Sequence, residues 1–210
     1  MLIETSRFGP VTLKQEDVIE FPEGILGFNE LRKFVLLDDP NDEIFAWLQS
    51  CEIGQIAFPV LEPELFAQGY QVMLTKHDLE SLGLKTAEKN IRSFSIITIP
   101  DDPTLMTANL KAPIVINIER RCARQIVLQD NNLAIREPIF SKLQSRVVQN
   151  PQSSIKSQAC DWGVAIRLPS ERGGAVTSAS TSSSSGSSSG PSAVSGARVP
   201  DRSSDPEATA

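Results

Sequence analysis

The sequence predicts a mainly β protein: a small closed or pseudo-barrel of about nine or ten mostly antiparallel short strands with one short helix, followed by a disordered Ser-rich C-terminal tail. Three observations carry this expectation. Short runs of β-branched and aromatic residues recur from Leu2 to Leu128, separated by Gly, Pro, Asn and Asp turn signals. Strands this numerous in so small a domain need closure to remove their unpaired edges. From about Ser170 onward the chain is Ser, Gly, Ala, Thr and Pro with scattered charge, including Ser182 to Gly190, and has almost nothing to bury. The expected organisation is a β-barrel domain over residues 1–140, a weakly ordered extension over 141–169 and a disordered tail over 170–210.

The elements follow in order. Leu2 to Phe8 alternates imperfectly and stops at Gly9-Pro10, and Val11-Thr12-Leu13 resumes with apolar positions two apart. Val18 to Phe21 is a short strand closed by Pro22-Glu23-Gly24. The loop Ile25-Leu26-Gly27-Phe28 then sets large apolar side chains between glycines, either tucked under the core or displayed as a partner site. Leu31 to Asp38 reads as a helical turn leading into a strand, and Asp38 to Glu43 as an acidic loop. Ile44 to Ser50 and Ile56 to Leu61 are strands, the second placed at an edge or bulge by Pro59. Tyr70 to Leu74 alternates as a strand would. Thr75, Asp78, Leu79, Leu82 and Gly83 form the one clear helix signal: a cap, an acid in the first turn, an apolar face and a left-handed end. Ile91 to Ile99 is the longest strand candidate. Pro113 opens the β-branched run Ile114, Val115, Ile116 and Ile118, and Gln125 to Leu128 is its hairpin partner across a turn at Glu119 to Arg124.

Charge is uneven. Residues 1–100 carry 16 acidic against 8 basic side chains, a net of −8, whereas residues 101–146 carry 5 against 7, a net of +2. Phosphate contacts need a basic face, so direct nucleic-acid binding is not expected. The cysteines Cys51, Cys122 and Cys160 have neither metal-ligand spacing nor a disulfide framework. No signal peptide and no run of about 18 apolar residues is present, so a cytoplasmic protein without a membrane segment is expected. The lone histidine, His77, has no second histidine with which to build a metal site. Two enzyme readings exist: Cys122, activated by Arg120-Arg121, and the carboxylate pair Asp101/Asp102. The flanking prolines favour a turn for the second. No phosphate-cradling loop or dinucleotide fingerprint occurs, so no cofactor, metal or catalytic residue is assigned.

Four stretches resemble the flagellar assembly factor FliW family. They are Leu2-Ile3-Glu4-Thr5-Ser6-Arg7-Phe8-Gly9, Phe21-Pro22-Glu23-Gly24-Ile25-Leu26-Gly27-Phe28, Phe45-Ala46-Trp47-Leu48-Gln49-Ser50, and Met106 through Asn117. The resemblance covers about residues 1–140 and omits the Ser-rich tail. It implies a bacterial, non-enzymatic, β-barrel-like protein that binds flagellin before export and also binds CsrA, the small RNA-binding repressor of flagellin translation. Free FliW withdraws CsrA, and flagellin-loaded FliW releases it. A runner-up is a flagellin-binding scaffold that has lost CsrA antagonism. The contact positions assigned are Phe21, Glu23, Ile25, Leu26 and Phe28 on the first loop, and Thr107, Asn109 and Ala112. Asp38, Asp39, Asp42 and Glu43 form the acidic patch assigned to CsrA. The free protein is expected to be monomeric.

Overall fold

Twelve strands and two α-helices are built from the described residues, which are 1–42, 44–85, 90–149 and 155–169 of a computed structural model. In chain order the first six strands are β1 (Leu2–Thr5), β2 (Gly9–Thr12), β3 (Ile19–Glu20), β4 (Lys33–Asp38), β5 (Ala46–Ser50) and β6 (Ala57–Leu61). Helix α1 (Lys76–Ser81) follows, then β7 (Ile91–Thr98), β8 (Thr107–Ala108), β9 (Ile114–Asn117), β10 (Cys122–Gln125) and β11 (Glu137–Pro138). Helix α2 (Phe140–Gln149) and β12 (Ala165–Arg167) complete the set.

Strands β3, β4, β5, β6, β7, β9 and β10 close into a barrel. Each is antiparallel to its neighbours except at one seam, where β10 runs parallel to β3 with Cys122 opposite Glu20. Closure removes the edges that so many short strands would otherwise expose. Phe34, Leu36, Leu48, Phe94, Ile114 and Ile116 are buried together in one cluster. The β1–β2 hairpin lies apart from this sheet, with Ile3, Val11 and Leu13 packed against Val35, Leu37 and Trp47. Two-residue β8 and β11 lengthen the wall beside the end of β7.

Strand β6 pairs with β5 over Ala57–Val60 but with β7 only at Val60 and Leu61, so Pro59 is paired on one side alone, as an edge position would be. The Ser50 N–H donates to the Ile56 carbonyl at 2.9 Å, which fixes the ladder phase. Pro59 therefore sits opposite Trp47 in a non-hydrogen-bonded pair, and its missing N–H costs no β5 bond. Several expectations shift against this architecture. Tyr70 to Leu74 is extended with Tyr70, Val72 and Leu74 turned toward Leu82, Leu84 and Val115, but it joins no ladder. Leu31 leads into β4 without a helical turn. The partner of β9 is Cys122–Gln125, not Gln125 to Leu128, so polar residues make the strand. Ile126 and Leu128 instead join the cluster of Val115, Leu82 and Leu84. The capped helix is as expected: the Thr75 hydroxyl accepts from the Asp78 N–H, the Asp78 carboxylate accepts from the Thr75 N–H, and Gly83 takes φ +69°.

Residues 141–169, expected to be weakly ordered, hold a helix and a strand. Ile139 and Leu143 are buried with Phe66, Met106 and Leu110. Beyond α2, residues 155–169 form a strap. Its strand β12 runs parallel to β4, with Ala165, Ile166 and Arg167 opposite Leu36, Leu37 and Asp38. Ala159 and Val164 enter the barrel cluster. Two buried carboxylates hold the strap: Asp38 takes Lys156 Nζ at 2.8 Å and Arg167 Nε at 2.9 Å, and Glu62 accepts from the Ser157 hydroxyl at 2.8 Å and the Gln158 N–H at 2.9 Å. The tail expected over 170–210 lies outside the described residues.

The two carboxylates titrate in opposite senses. Burial alone would raise Asp38, but hydrogen bonds from Lys156 and Arg167 outweigh it and hold the carboxyl below its ordinary value of 3.8. Its stabilisation is present above that value and is lost as pH falls through the lower folded value. Burial raises Glu62 above 4.5, against the opposing hydrogen bonds of Ser157 and Gln158. Its contribution is present below 4.5 and declines as pH rises through the higher folded value. Urea titrations across pH should therefore show Asp38→Asn losing stability relative to wild type most at neutral pH, and Glu62→Gln losing least there. Phe34→Ala, which empties a fully buried site, should cost about 3–5 kcal/mol in the same assay.

Candidate partner-binding surface

The loop after β3 divides its apolar side chains between two jobs. Phe21 and Ile25 are fully buried, and the Phe21 ring meets Phe34 edge-on at 4.9 Å. Leu26 and Phe28 face outward, 56% and 37% exposed, and Phe28 also leans on Phe58 at 5.2 Å. Both alternatives read from the sequence are thus realised in one segment, tucked at 21 and 25 and displayed at 26 and 28. Gly24 makes the bend: it has φ +71°, and a Cβ there would lie 2.7 Å from the Asn29 backbone. The Arg32 guanidinium donates to the Pro22 carbonyl and ties the loop's start to its end.

Strand β10 fixes this loop to the second stretch singled out in the sequence. The Leu26 N–H donates to Gln125 Oε1 at 2.9 Å, and Gln125 Nε2 donates to the Ala112 carbonyl at 3.0 Å. Next to it, Arg124 Nη1 lies 2.9 Å from Glu23, 2.9 Å from His77 Nδ1 and 3.0 Å from the Ser81 hydroxyl, and Arg124 Nε lies 3.6 Å from Asp78. One strand end therefore links the apolar loop, the 109–112 turn and α1. Asn109 works within that turn, its Oδ1 accepting from the Ala112 N–H at 2.9 Å. Thr107 and Asn109 are half-buried, whereas Ala112 is buried and offers no side chain to a partner. Sequence reading missed Arg124 and Gln125, and no local signal marks them, because Gln125 meets Leu26 across 99 positions of chain.

The acidic loop is tied into the structure to different degrees along its length. Asp38 is only 3% exposed and is neutralised by Lys156 and Arg167. Asp39 Oδ1 accepts from the Asn41 backbone and side chain at 2.9 and 3.0 Å. Asp42 accepts from the backbone of Ile44 and Phe45 and from Trp47 Nε1, with Arg7 at 4.0 Å. Lys156 also donates to the carbonyls of Asp39 and Asp42. These acids order a turn and anchor the strap. Glu43 lies outside the described residues.

The profile of the FliW protein family matches residues 2–139. A flagellar assembly factor FliW of Bdellovibrio bacteriovorus is 72% identical over 168 residues, covering 80% of this chain and 95% of the relative. The chain belongs to the FliW family. A FliW of Ruminiclostridium cellulolyticum is 34% identical over 149 residues, covering 70% of this chain and all of the relative. A crystal structure of the flagellar assembly factor FliW superposes with TM-score 0.62 at 33% identity, covering 67% of this chain and 97% of that one. The FliW resemblance and the β-barrel architecture read from the sequence are both confirmed.

The enzyme readings find no support in this FliW fold. Burial and the nearby Glu20 push the Cys122 thiol above 9.0, against the opposing charge of Arg120, so it is not an activated thiolate. Asp102 caps a short 3-10 turn, accepting from the Thr104 N–H at 2.9 Å and hydroxyl at 2.6 Å. Among the described residues no group of three or more His, Cys, Asp or Glu side chains could hold a metal ion, and no helix is long and apolar enough to cross a membrane.

Gln125→Ala should free the loop without unfolding the barrel. The expected outcome is at least tenfold faster hydrogen exchange at the Leu26 amide and a stability loss of about 1–2 kcal/mol, read by exchange mass spectrometry and urea denaturation.

Proposed function

We propose that this FliW family member is a cytoplasmic, non-enzymatic partner-holding protein that binds flagellin and antagonises CsrA, relieving repression of flagellin translation. The observation that carries the reading is the pairing of exposure with fixation at Leu26 and Phe28. Large apolar side chains are held outward on a loop pinned at Pro22, Glu23 and Leu26. An anchor that is already ordered loses little conformational entropy on binding, which suits it to an apolar segment of an unassembled subunit. Family membership supports flagellin as the owner of that segment.

The CsrA half of the proposal rests on the family resemblance and on net charge. The chain carries a formal net charge of −6, which favours encounter with a basic protein and disfavours RNA. Asp38 is neutralised by Lys156 and Arg167 and supplies little of that attraction, whereas Asp39 and Asp42 are held mainly by neutral donors and keep their charge for a CsrA contact. In its free form the protein is monomeric in this scheme.

Purified protein should bind flagellin and CsrA, with flagellin displacing CsrA in a competition titration. Leu26→Asp should weaken flagellin binding at least tenfold with an unchanged far-UV spectrum, because Leu26 is exposed in the free protein. Absence of binding to both wild-type partners would refute the proposal. Binding of flagellin alone would favour a scaffold without CsrA antagonism.

A further inference from the structure

We infer that residues 155–169 are an internal ligand seated in a peptide-accepting slot of the barrel wall, and that the slot can take a looped peptide of the same chemistry in trans. The slot exists because β3 is too short. It covers β4 only at Lys33 and Phe34, which leaves the same edge open at Leu36 to Asp38, and β12 fills that gap with three parallel pairs. Barrel closure therefore leaves a length of strand edge that some extended segment must satisfy.

The chemistry of the occupant is legible from what the slot offers. Asp38 receives a basic side chain at each end of the strap, Lys156 and Arg167. Glu62 receives a hydroxyl and an N–H from Ser157 and Gln158. Small apolar residues, Ala159 and Val164, enter the barrel cluster, and the Trp162 ring sits edge-on to Phe94 at 6.2 Å. Arg121 fixes the middle of the strap through backbone alone, donating to the carbonyls of Gly163 at 2.7 Å and Val164 at 3.0 Å. Asp38 takes both ends of a segment that folds back on itself over residues 159–163, where the Trp162 N–H donates to the Gln158 carbonyl and the Val164 N–H to the Ala159 carbonyl. The slot therefore describes a site for a looped peptide with a basic residue at each end and an aromatic at its turn.

Two observations separate the strap from the barrel proper. The family profile ends at residue 139, before the strap begins. Strand β12 is also shallow: Ala165 and Ile166 are half-buried, Arg167 is exposed, and its ladder is only three pairs long. The inference does not depend on flagellin or CsrA being partners.

The test keeps the full chain and nicks it. A specific protease site placed between residues 149 and 155 is cleaved, and a fluorescent synthetic peptide of residues 155–169 is added. The expected result is an unchanged far-UV spectrum after nicking, followed by saturable exchange of the labelled peptide into the slot. Arg167→Ala in the nicked chain should accelerate release at least tenfold, and Arg167→Lys should restore most of the retention. A labelled peptide with Lys156 and Arg167 replaced by Glu should fail to enter. Unfolding on nicking, or no exchange from an intact nicked complex, would show the strap to be inseparable core and overturn the inference. Equal entry of the charge-reversed peptide would overturn the assigned chemistry.

Discussion

Closure of the barrel through a strand of two residues is the constraint on which the rest of the structure depends. Strand β3 joins β4 on one side and β10 on the other, and its Glu20 N–H reaches the Arg121 carbonyl at 2.8 Å to complete the circle. A longer β3 would cover all of β4. Because it stops at Glu20, the chain turns out at Pro22 into the loop that displays Leu26 and Phe28, and the distal edge of β4 is left to the strap. Both surface features follow from one shortfall in hydrogen bonding.

The same closure explains why polar residues inside β10 matter more than their number suggests. Arg124 and Gln125 lie where the closing strand passes beneath the loop, the 109–112 turn and α1, so single side chains bridge elements far apart in sequence. Half-buried, charge-assisted contacts of this kind add more to the definition of a surface than to its stability. The loop is accordingly a fixed display, with Phe21 and Ile25 as its root in the core.

Legibility in the sequence follows the range of each interaction. The helix at Thr75 was readable because its capping box, apolar face and terminal glycine all lie within nine residues of one another. The β-branched run at Ile114 to Ile116 was readable because every one of those positions is buried. Strand β10 was misplaced because Ile126 and Leu128 are apolar for a second, smaller cluster outside the ladder, while Ala123 alone gives β10 an inward face. The acidic loop looked open because its compensating charges, Lys156 and Arg167, come from a stretch read as weakly ordered. That stretch was underestimated because its buried residues, Ala159 and Val164, are small and match no period. Of the twelve contact positions proposed from sequence, Leu26 and Phe28 offer exposed apolar surface, and Phe21, Ile25 and Ala112 do not.

The protein presents an ordered apolar loop while Asp38, Asp39, Asp42 and Glu62 are engaged in structure. The most direct measurement is amide hydrogen exchange of the full-length protein with and without flagellin, read residue by residue. New protection is expected to centre on residues 25–29 and to extend to the 107–112 turn through Gln125, with residues 38–42 unchanged. Protection confined to residues 38–42, with the loop exchanging as in the free protein, would contradict that expectation.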